Sequence, residues 1–166
     1  VSQMLIDELN RSNIILVSKS PRRQELLRGL GLEFKVVTKD WEEEYPSGLT
    51  GAEIALHVAG EKAKSFMDGL KDNDIVITAD TIVWCVDEVI HKPAGREDAI
   101  RIIRKISGRT HEVITGVCLL SCVKSVSFHC STKVTFAELS DEEMVYYISK
   151  YKPYDKAGAY GIQEWI

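Results

Sequence analysis

The sequence predicts an α/β fold built on a mixed sheet flanked by helices, and three observations carry that expectation. Apolar runs of strand length, such as NIILV (13–17) and DIVIT (74–78), are interspersed with segments whose apolar residues recur at helical spacing. Some strand-like runs follow one another with no helix between them, which a purely parallel sheet does not permit. The chain has 166 residues, 45% hydrophobic and 28% charged, enough apolar content for a core, and no repeat, low-complexity tract or linker interrupts it.

The elements follow in order. After NIILV, the stretch SKSPRRQELLRGLG (18–31) reads as a helix with Ser20 as N-cap, Pro21 in the first helical position, Gly31 at the stop, and Leu26, Leu27 and Leu30 on one face. EFKVV reads as a strand and TKDWEEEYPSG as an acidic loop. Thr50 and Glu53 have capping-box spacing ahead of a helix with Leu56, Ala59, Ala63, Phe66, Met67 and Leu70 on its expected inner face. DIVITADTIVWCVDEVIHKP is mostly strand, two apolar runs separated by TAD, with a tight turn expected at Asp87-Glu88.

Residues 96–108 form the cleanest amphipathic helix, with Ala99, Ile102, Ile103 and Ile106 inward, Arg101, Arg104 and Lys105 outward, and Gly108 at its end. HEVITGVCLLS reads as a buried strand. SVSFHCSTKVTFAEL, with Val126, Phe128, Cys130, Thr132, Val134 and Phe136 at a period of two, reads as a long half-buried one. Ser140 and Glu143 form a second capping box, opening a helix with Met144, Tyr147, Ile148 and Tyr151 toward the core. KPYDKAGAYGIQEWI follows; its apolar end leaves Trp165 and Ile166 without downstream cover, the expectation for a chain lacking its tail.

Composition narrows the function classes. A net charge of −4 argues against general nucleic-acid affinity while allowing a local basic pocket for a small anion. No apolar run reaches membrane-spanning length, and the start VSQMLIDELNRSN lacks a signal-peptide layout, so a soluble cytoplasmic protein is expected. Cys85, Cys118, Cys122 and Cys130 lie in strand-like apolar contexts with no Cys-x-x-Cys pair, which favours buried reduced thiols over zinc ligation.

Arg22 and Arg23 break a local rule. A helix N-terminus is already positive, so each arginine in its first turn costs about 0.3–1 kcal/mol unless something negative is bound there. A phosphate would accept the free N–H groups and pair with both guanidiniums; the plainer alternative is an exposed basic helix start. Asp80 closes DIVIT, where a strand would deliver a carboxylate to the sheet edge beside the Thr81 hydroxyl, a place suited to a metal ligand or general base; an aspartate bonded within a local turn is the competing reading. Glu42, Glu43 and Glu44 are either a solvated run or part of a magnesium site with Asp80. Lys92 stands before Pro93, which favours an extended backbone, and Lys62 lies next to the inner face of its helix. Phosphate-loop, dinucleotide and serine-elbow fingerprints are absent.

In this order and at these separations, SKSPRRQELL, EKA, ITADTIV, HKP, SGRTHEVITGV and DKAGAYGIQ resemble the Maf proteins, nucleoside triphosphate pyrophosphatases, over about residues 13–163; GAYGIQ is similar to the branch acting on dTTP and UTP. The resemblance implies an elongated mixed sheet with a cleft, as in ITPase-like folds, and a single domain over residues 1–166 that lacks its C-terminal tail. It implies Asp80 as catalytic acidic residue and metal ligand, with Glu43 as the second carboxylate in both roles. Ser20, Arg22, Arg23, Lys62, Thr81, Lys92 and Gln163 are implied in substrate binding: Arg22, Thr81 and Gln163 in substrate choice, Arg23, Lys62 and Lys92 around the triphosphate. A divalent cation, magnesium first, a homodimer, and nucleotide-pool house-cleaning with a link to cell-division arrest are implied too. Lys19 departs from the pattern, standing where the family usually has a small residue. The rival classes are a nucleic-acid binding module that inserts SPRR into the minor groove and an inactive nucleotide-binding regulator; the acidic total and the embedding of SPRR weigh against the first.

Overall fold

Among the residues described by the computed structural model, 3–41 and 44–164, six strands form a mixed sheet. β1 (Asn13–Val17) pairs in parallel with β2 (Lys35–Val37) and with β3 (Asp74–Cys85), while β4 (Glu88–Ile90) returns antiparallel along β3. With β5 (Thr110–Leu120) and β6 (Ser125–Thr135), the order is β2-β1-β3-β5-β6. The helices are α1 (Gln3–Leu9), α2 (Pro21–Gly29), α3 (Ala52–Lys64), α4 (Arg96–Ile106) and α5 (Asp141–Tyr151), with 3₁₀ turns at Met67–Gly69 and Ala157–Ala159. The expected mixed α/β class is what is found.

The chain divides into two compact units, one of Val1–Asp80 with Thr115–His129, the other of Thr81–Ile114 with Cys130–Ile166. In the first, α3 buries Ile54, Ala55, Val58, Ala59 and Ala63, and its alanines pack with Val17, Val76, Cys118 and Leu120. Small side chains allow a close approach, and Gly116 of β5 shows how close. A Cβ built there would lie 2.5 Å from the carbonyl carbon and oxygen of Ala55.

Several expectations for this unit need correction. α2 ends with Gly31 in the left-handed region as expected, but none of its residues is buried, and Leu26 is 72% exposed. It precedes β2, the short terminal strand of the order, which leaves little sheet for an apolar face to cover. The inner face of α3 shares only Ala59 and Ala63 with the expected set; Phe66, Met67 and Leu70 lie beyond the helix, and Met67 is exposed. Its start is half a capping box: the Glu53 carboxylate accepts the Thr50 N–H at 3.0 Å, but the Thr50 hydroxyl donates to that carboxylate at 3.2 Å, and Gly51 occupies the cap position.

The second unit follows its sequence pattern closely. Ala99, Ile102, Ile103 and Ile106 of α4 are all buried, against Val83, Cys85, Ile90, Met144, Tyr147 and Ile148. α5 carries both halves of its capping box, Ser140 with Glu143. The β3–β4 turn falls one residue earlier than expected, at Val86 and Asp87, whose φ of 52° and 59° are those of a type I′ hairpin. His111 is buried with its ring 5.2 Å from Phe136 and 5.4 Å from Tyr160; Nε2 bonds the Tyr160 hydroxyl at 2.7 Å, while Nδ1 has no partner among the described residues.

β6 is exposed along nearly its whole length, not half-buried, and Phe128 is 51% exposed. Alternation separates two faces but does not provide cover for either, and β6 is the terminal strand of the order. Cys130 on β6 is accordingly exposed, as is Cys122 in the turn before it, while Cys85 and Cys118 are buried; all four are free thiols.

Two outcomes follow. Gly116→Ala should lower unfolding free energy by about 1–3 kcal/mol, or more if the helix cannot retreat, read by urea denaturation. Burial holds the His111 imidazole below its ordinary value, so the unfolded chain binds a proton that the folded chain refuses. Its stability contribution is therefore present above the unfolded value of about 6.5 and is lost as pH falls below it. The acid-side decline of Tm should be shallower in His111→Gln than in the parent.

Candidate functional site

Asp80 does not close a strand at the sheet edge. β3 continues through it to Cys85, because Ile82, Val83 and Cys85 beyond it are themselves buried apolar residues. This removes the reading of a local turn aspartate. What remains is a carboxylate on a residue only 4% exposed, a state that needs compensation by a counter-charge or hydrogen bonds.

The compensation comes from α3, through matched periods. Thr78 and Asp80 share a face of β3 by alternation. The Thr78 hydroxyl donates to the Ala59 carbonyl of α3 at 2.6 Å, and three residues further along that helix Lys62 Nζ reaches Asp80 Oδ1 at 2.7 Å. Two strand positions are thus read by two helix positions one turn apart.

The second cation arrives from β1. In the parallel register Val17 lies beside Thr78, so the chain leaving β1 enters α2 near Ala79 and Asp80. Ser18 donates its N–H to the Val37 carbonyl and its hydroxyl oxygen accepts the Ser20 N–H, both at 3.1 Å. Ser20 then caps α2 by accepting the Arg23 N–H at 3.5 Å. Arg23 Nη1 donates to the Ala79 carbonyl at 2.8 Å, so this side chain reaches across to the residue before Asp80. Arg22 is exposed in the same first turn, which contains no acidic residue. Open α/β sheets bind ligands at this place, beyond the carboxyl ends of parallel strands, and the helix N-terminus here adds its own positive end.

Asp80 Oδ2 is buried and has no partner among the described residues. With Oδ1 held by Lys62, the free oxygen is a hard donor of the type magnesium and calcium take, so the carboxylate fits a divalent cation. Among the described residues no group of three or more His, Cys, Asp or Glu is placed to hold a metal ion. Glu43, together with Glu42, lies outside the described residues. Glu44 lines a hollow of about 380 Å³ with Trp41, Tyr45, Pro46, His57 and Glu61.

Three of the sequence-derived residues therefore converge, Arg23, Lys62 and Asp80, with Ser20 capping the helix that delivers Arg23. Thr81, Lys92 and Gln163 belong to the second unit. Thr81 is half-buried as the next residue of β3, Lys92 is exposed before the buried Pro93, and Gln163 is exposed in the turn after Gly161. Sequence reasoning missed the docking bond from Thr78, the acceptor carbonyl of Ala79 and the buried Ser18. A hydroxyl inside the apolar run DIVIT was the one available signal for the first. Lys19, the departure from the family pattern, pairs with Asp40, both exposed.

Residues 13–166 match the family described as Maf-like protein. A protein of Phocaeicola vulgatus named dTTP/UTP pyrophosphatase is 52% identical over 163 residues, covering 98% of this chain and 84% of its own length. One of the same name from Flavobacterium johnsoniae is 50% identical over 163 residues with the same coverage. Among solved structures, the Ham1 protein of Staphylococcus aureus superposes with a TM-score of 0.52 at 14% identity, over 78% of this chain and 72% of that one, a likeness of fold.

Lys62→Met leaves the Asp80 carboxylate buried without its cation. The expected loss is about 3–5 kcal/mol of stability, measured by urea denaturation. Adding Asp80→Asn, which removes the stranded charge, should recover more than half of that loss.

Proposed function

The chain belongs to the Maf family, and on that premise we propose that it is a nucleoside triphosphate pyrophosphatase, hydrolysing dTTP and UTP between the α and β phosphates to the monophosphate and pyrophosphate. The observation that supports this most is the buried Asp80 carboxylate, one oxygen on Lys62 and the other unpartnered among the described residues, next to the carbonyl that holds Arg23.

Asp80 orients the attacking water and helps remove its proton. Asp80, with Glu43, would hold a divalent cation, magnesium first, which supplies Lewis-acid polarisation of phosphate oxygens when bound. Arg22, Arg23, Lys62 and Lys92 neutralise charge on the phosphates, most usefully on the departing pyrophosphate, where charge grows in the transition state. Ser20 fixes the turn that presents the two arginines.

Gln163 offers both an acceptor and a donor, which suits the imide N–H and a carbonyl of uracil or thymine; Arg22 and Thr81 share in substrate choice. One methyl in a pocket is worth only about 1–3 kcal/mol, so a site that accepts uracil also accepts thymine. The names of the relatives, dTTP/UTP pyrophosphatase, agree with this pairing. A homodimer acting in the cytoplasm on small nucleotides, without nucleic acid or membrane, completes the reading. Among the described residues no helix is long and apolar enough to cross a membrane.

Pyrophosphate release from a panel of nucleoside triphosphates, with and without magnesium, tests the reading. dTTP and UTP should be cleaved in preference to ATP, GTP and CTP, and only with the metal. Asp80→Asn should lower kcat by about 10²–10⁴-fold with an unchanged circular dichroism spectrum. Full turnover in that variant, or release of orthophosphate alone, would overturn it.

A further inference from the structure

The segment after α5 carries Gln163, and it is held by contacts that the proposed chemistry does not use. Gly158 and Ala159 are consecutive left-handed residues, with φ of 73° and 57°. For alanine that conformation carries a cost that only surrounding contacts can sustain. The contacts are visible on both sides. The Gly158 N–H donates to the His91 carbonyl at 3.4 Å, a Cβ on Gly158 would stand 3.0 Å from Val83 Cγ2, and the Tyr160 hydroxyl meets His111 Nε2.

The next residues are anchored to one hydroxyl. Tyr147 of α5 is 1% exposed, and its oxygen accepts the Gly161 N–H at 3.0 Å while its proton goes to the Glu164 carboxylate. Glu164 Oε1 also takes Lys156 Nζ at 3.1 Å, and the Glu164 N–H closes on the Gly161 carbonyl at 2.9 Å. Burial, and then the bond to Glu164, raises the Tyr147 pKa well above the ordinary phenol value, so the hydroxyl stays a donor throughout the working range. A Cβ on Gly161 would sit 3.0 Å from Glu164 Cδ, so the absent side chain is what lets the carboxylate lie over this backbone. Gly161 and Glu164 are thus pinned to the same buried oxygen, and the exposed Ile162 and Gln163 are the two residues between them.

We propose that Tyr147, Glu164 and Lys156 form a clasp that fixes the position of Gln163 and thereby sets the choice of base. The inference rests on the reading of Gln163 as the side chain that meets the base. None of the three need touch substrate; they are positioning residues. A donor–acceptor pair discriminates between bases only when its geometry is held, because a site that keeps its polar groups aligned leaves them unpaired against the wrong partner. Uracil presents an imide N–H and a carbonyl where cytosine presents a ring nitrogen acceptor and an amine. A loosened Gln163 can turn its amide to meet either.

The test is kinetic, with UTP and CTP on the full chain, well below Tm. Tyr147→Phe, which removes only the oxygen, should raise KM for UTP about fivefold to tenfold, lower kcat by less than about twofold, and reduce the UTP/CTP ratio of kcat/KM by about the KM factor, the scale of one lost hydrogen bond. Glu164→Ala should behave alike, and carries the test if Tyr147→Phe does not fold. Glu164→Gln, which keeps one acceptor, should restore part of the selectivity. Hydrogen exchange should show lost protection at the Gly161 amide with α5 still protected. Parental KM and selectivity in both Tyr147→Phe and Glu164→Ala would overturn the inference. So would an equal loss on UTP and CTP that tracks a fall in Tm, the mark of a merely structural role. If the parent releases no pyrophosphate from UTP, the functional reading fails instead and takes base choice with it, and the exchange of Gly161 separates that case from an intact clasp.

Discussion

The ion pair of Lys62 with Asp80 constrains the rest of the first unit. A carboxylate within a strand, nearly closed to solvent, is tolerable only with a counter-charge at contact distance, and that charge comes from a helix whose height over the sheet must be fixed to a fraction of an ångström. Gly116 lets α3 come down onto the sheet, and the Thr78 hydroxyl fixes its register through the Ala59 carbonyl. Alanines on the buried face of the helix serve the same close approach. The apolar packing of this unit can be understood as the means by which one lysine meets one oxygen of Asp80.

The two arginines at the start of α2 are intelligible from the same centre. Unfavourable in a bare helix, they lie at the carboxyl end of a parallel strand pair, where Arg23 turns to a β3 carbonyl beside Asp80. Positive charge gathered on a helix N-terminus, beside a buried carboxylate with one oxygen unpartnered among the described residues, is a poor arrangement for stability and a suitable one for the polyphosphate of the proposed substrate.

The second unit handles its buried polar groups differently. Here hydroxyls are satisfied in pairs, Tyr160 with His111 and Tyr147 with both Gly161 and Glu164, and each pair secures the chain leaving α5. Two left-handed residues in a row are sustained by these contacts. Positional support of a chain segment and an electrostatic cradle are separate tasks, and the two units carry one each.

Much was legible in the sequence where the signal is local. α4 places Ala99, Ile102, Ile103 and Ile106 inside because a period near 3.6 gives them one common face, and α5 starts after Ser140 because the capping partners are three residues apart. Local patterns pointed to Arg23 and Asp80, the role of Lys62 came only with the family resemblance, and nothing described bears on Glu43. Local reasoning erred where burial depends on distant chain. Leu26, Phe128, Cys122 and Cys130 carry an apolar pattern but lie exposed, since periodicity marks a face without supplying what covers it. Asp80 read as a strand end because a charge interrupts an apolar run, yet a lysine 18 residues back allows the strand to pass through it. The sequence by itself determined which residue types could do the chemistry and in what order they appear. Only the tertiary structure decided that Lys62 takes one oxygen of Asp80 and that the other has no partner among the described residues, because that depends on strand register and helix height, which no local pattern encodes.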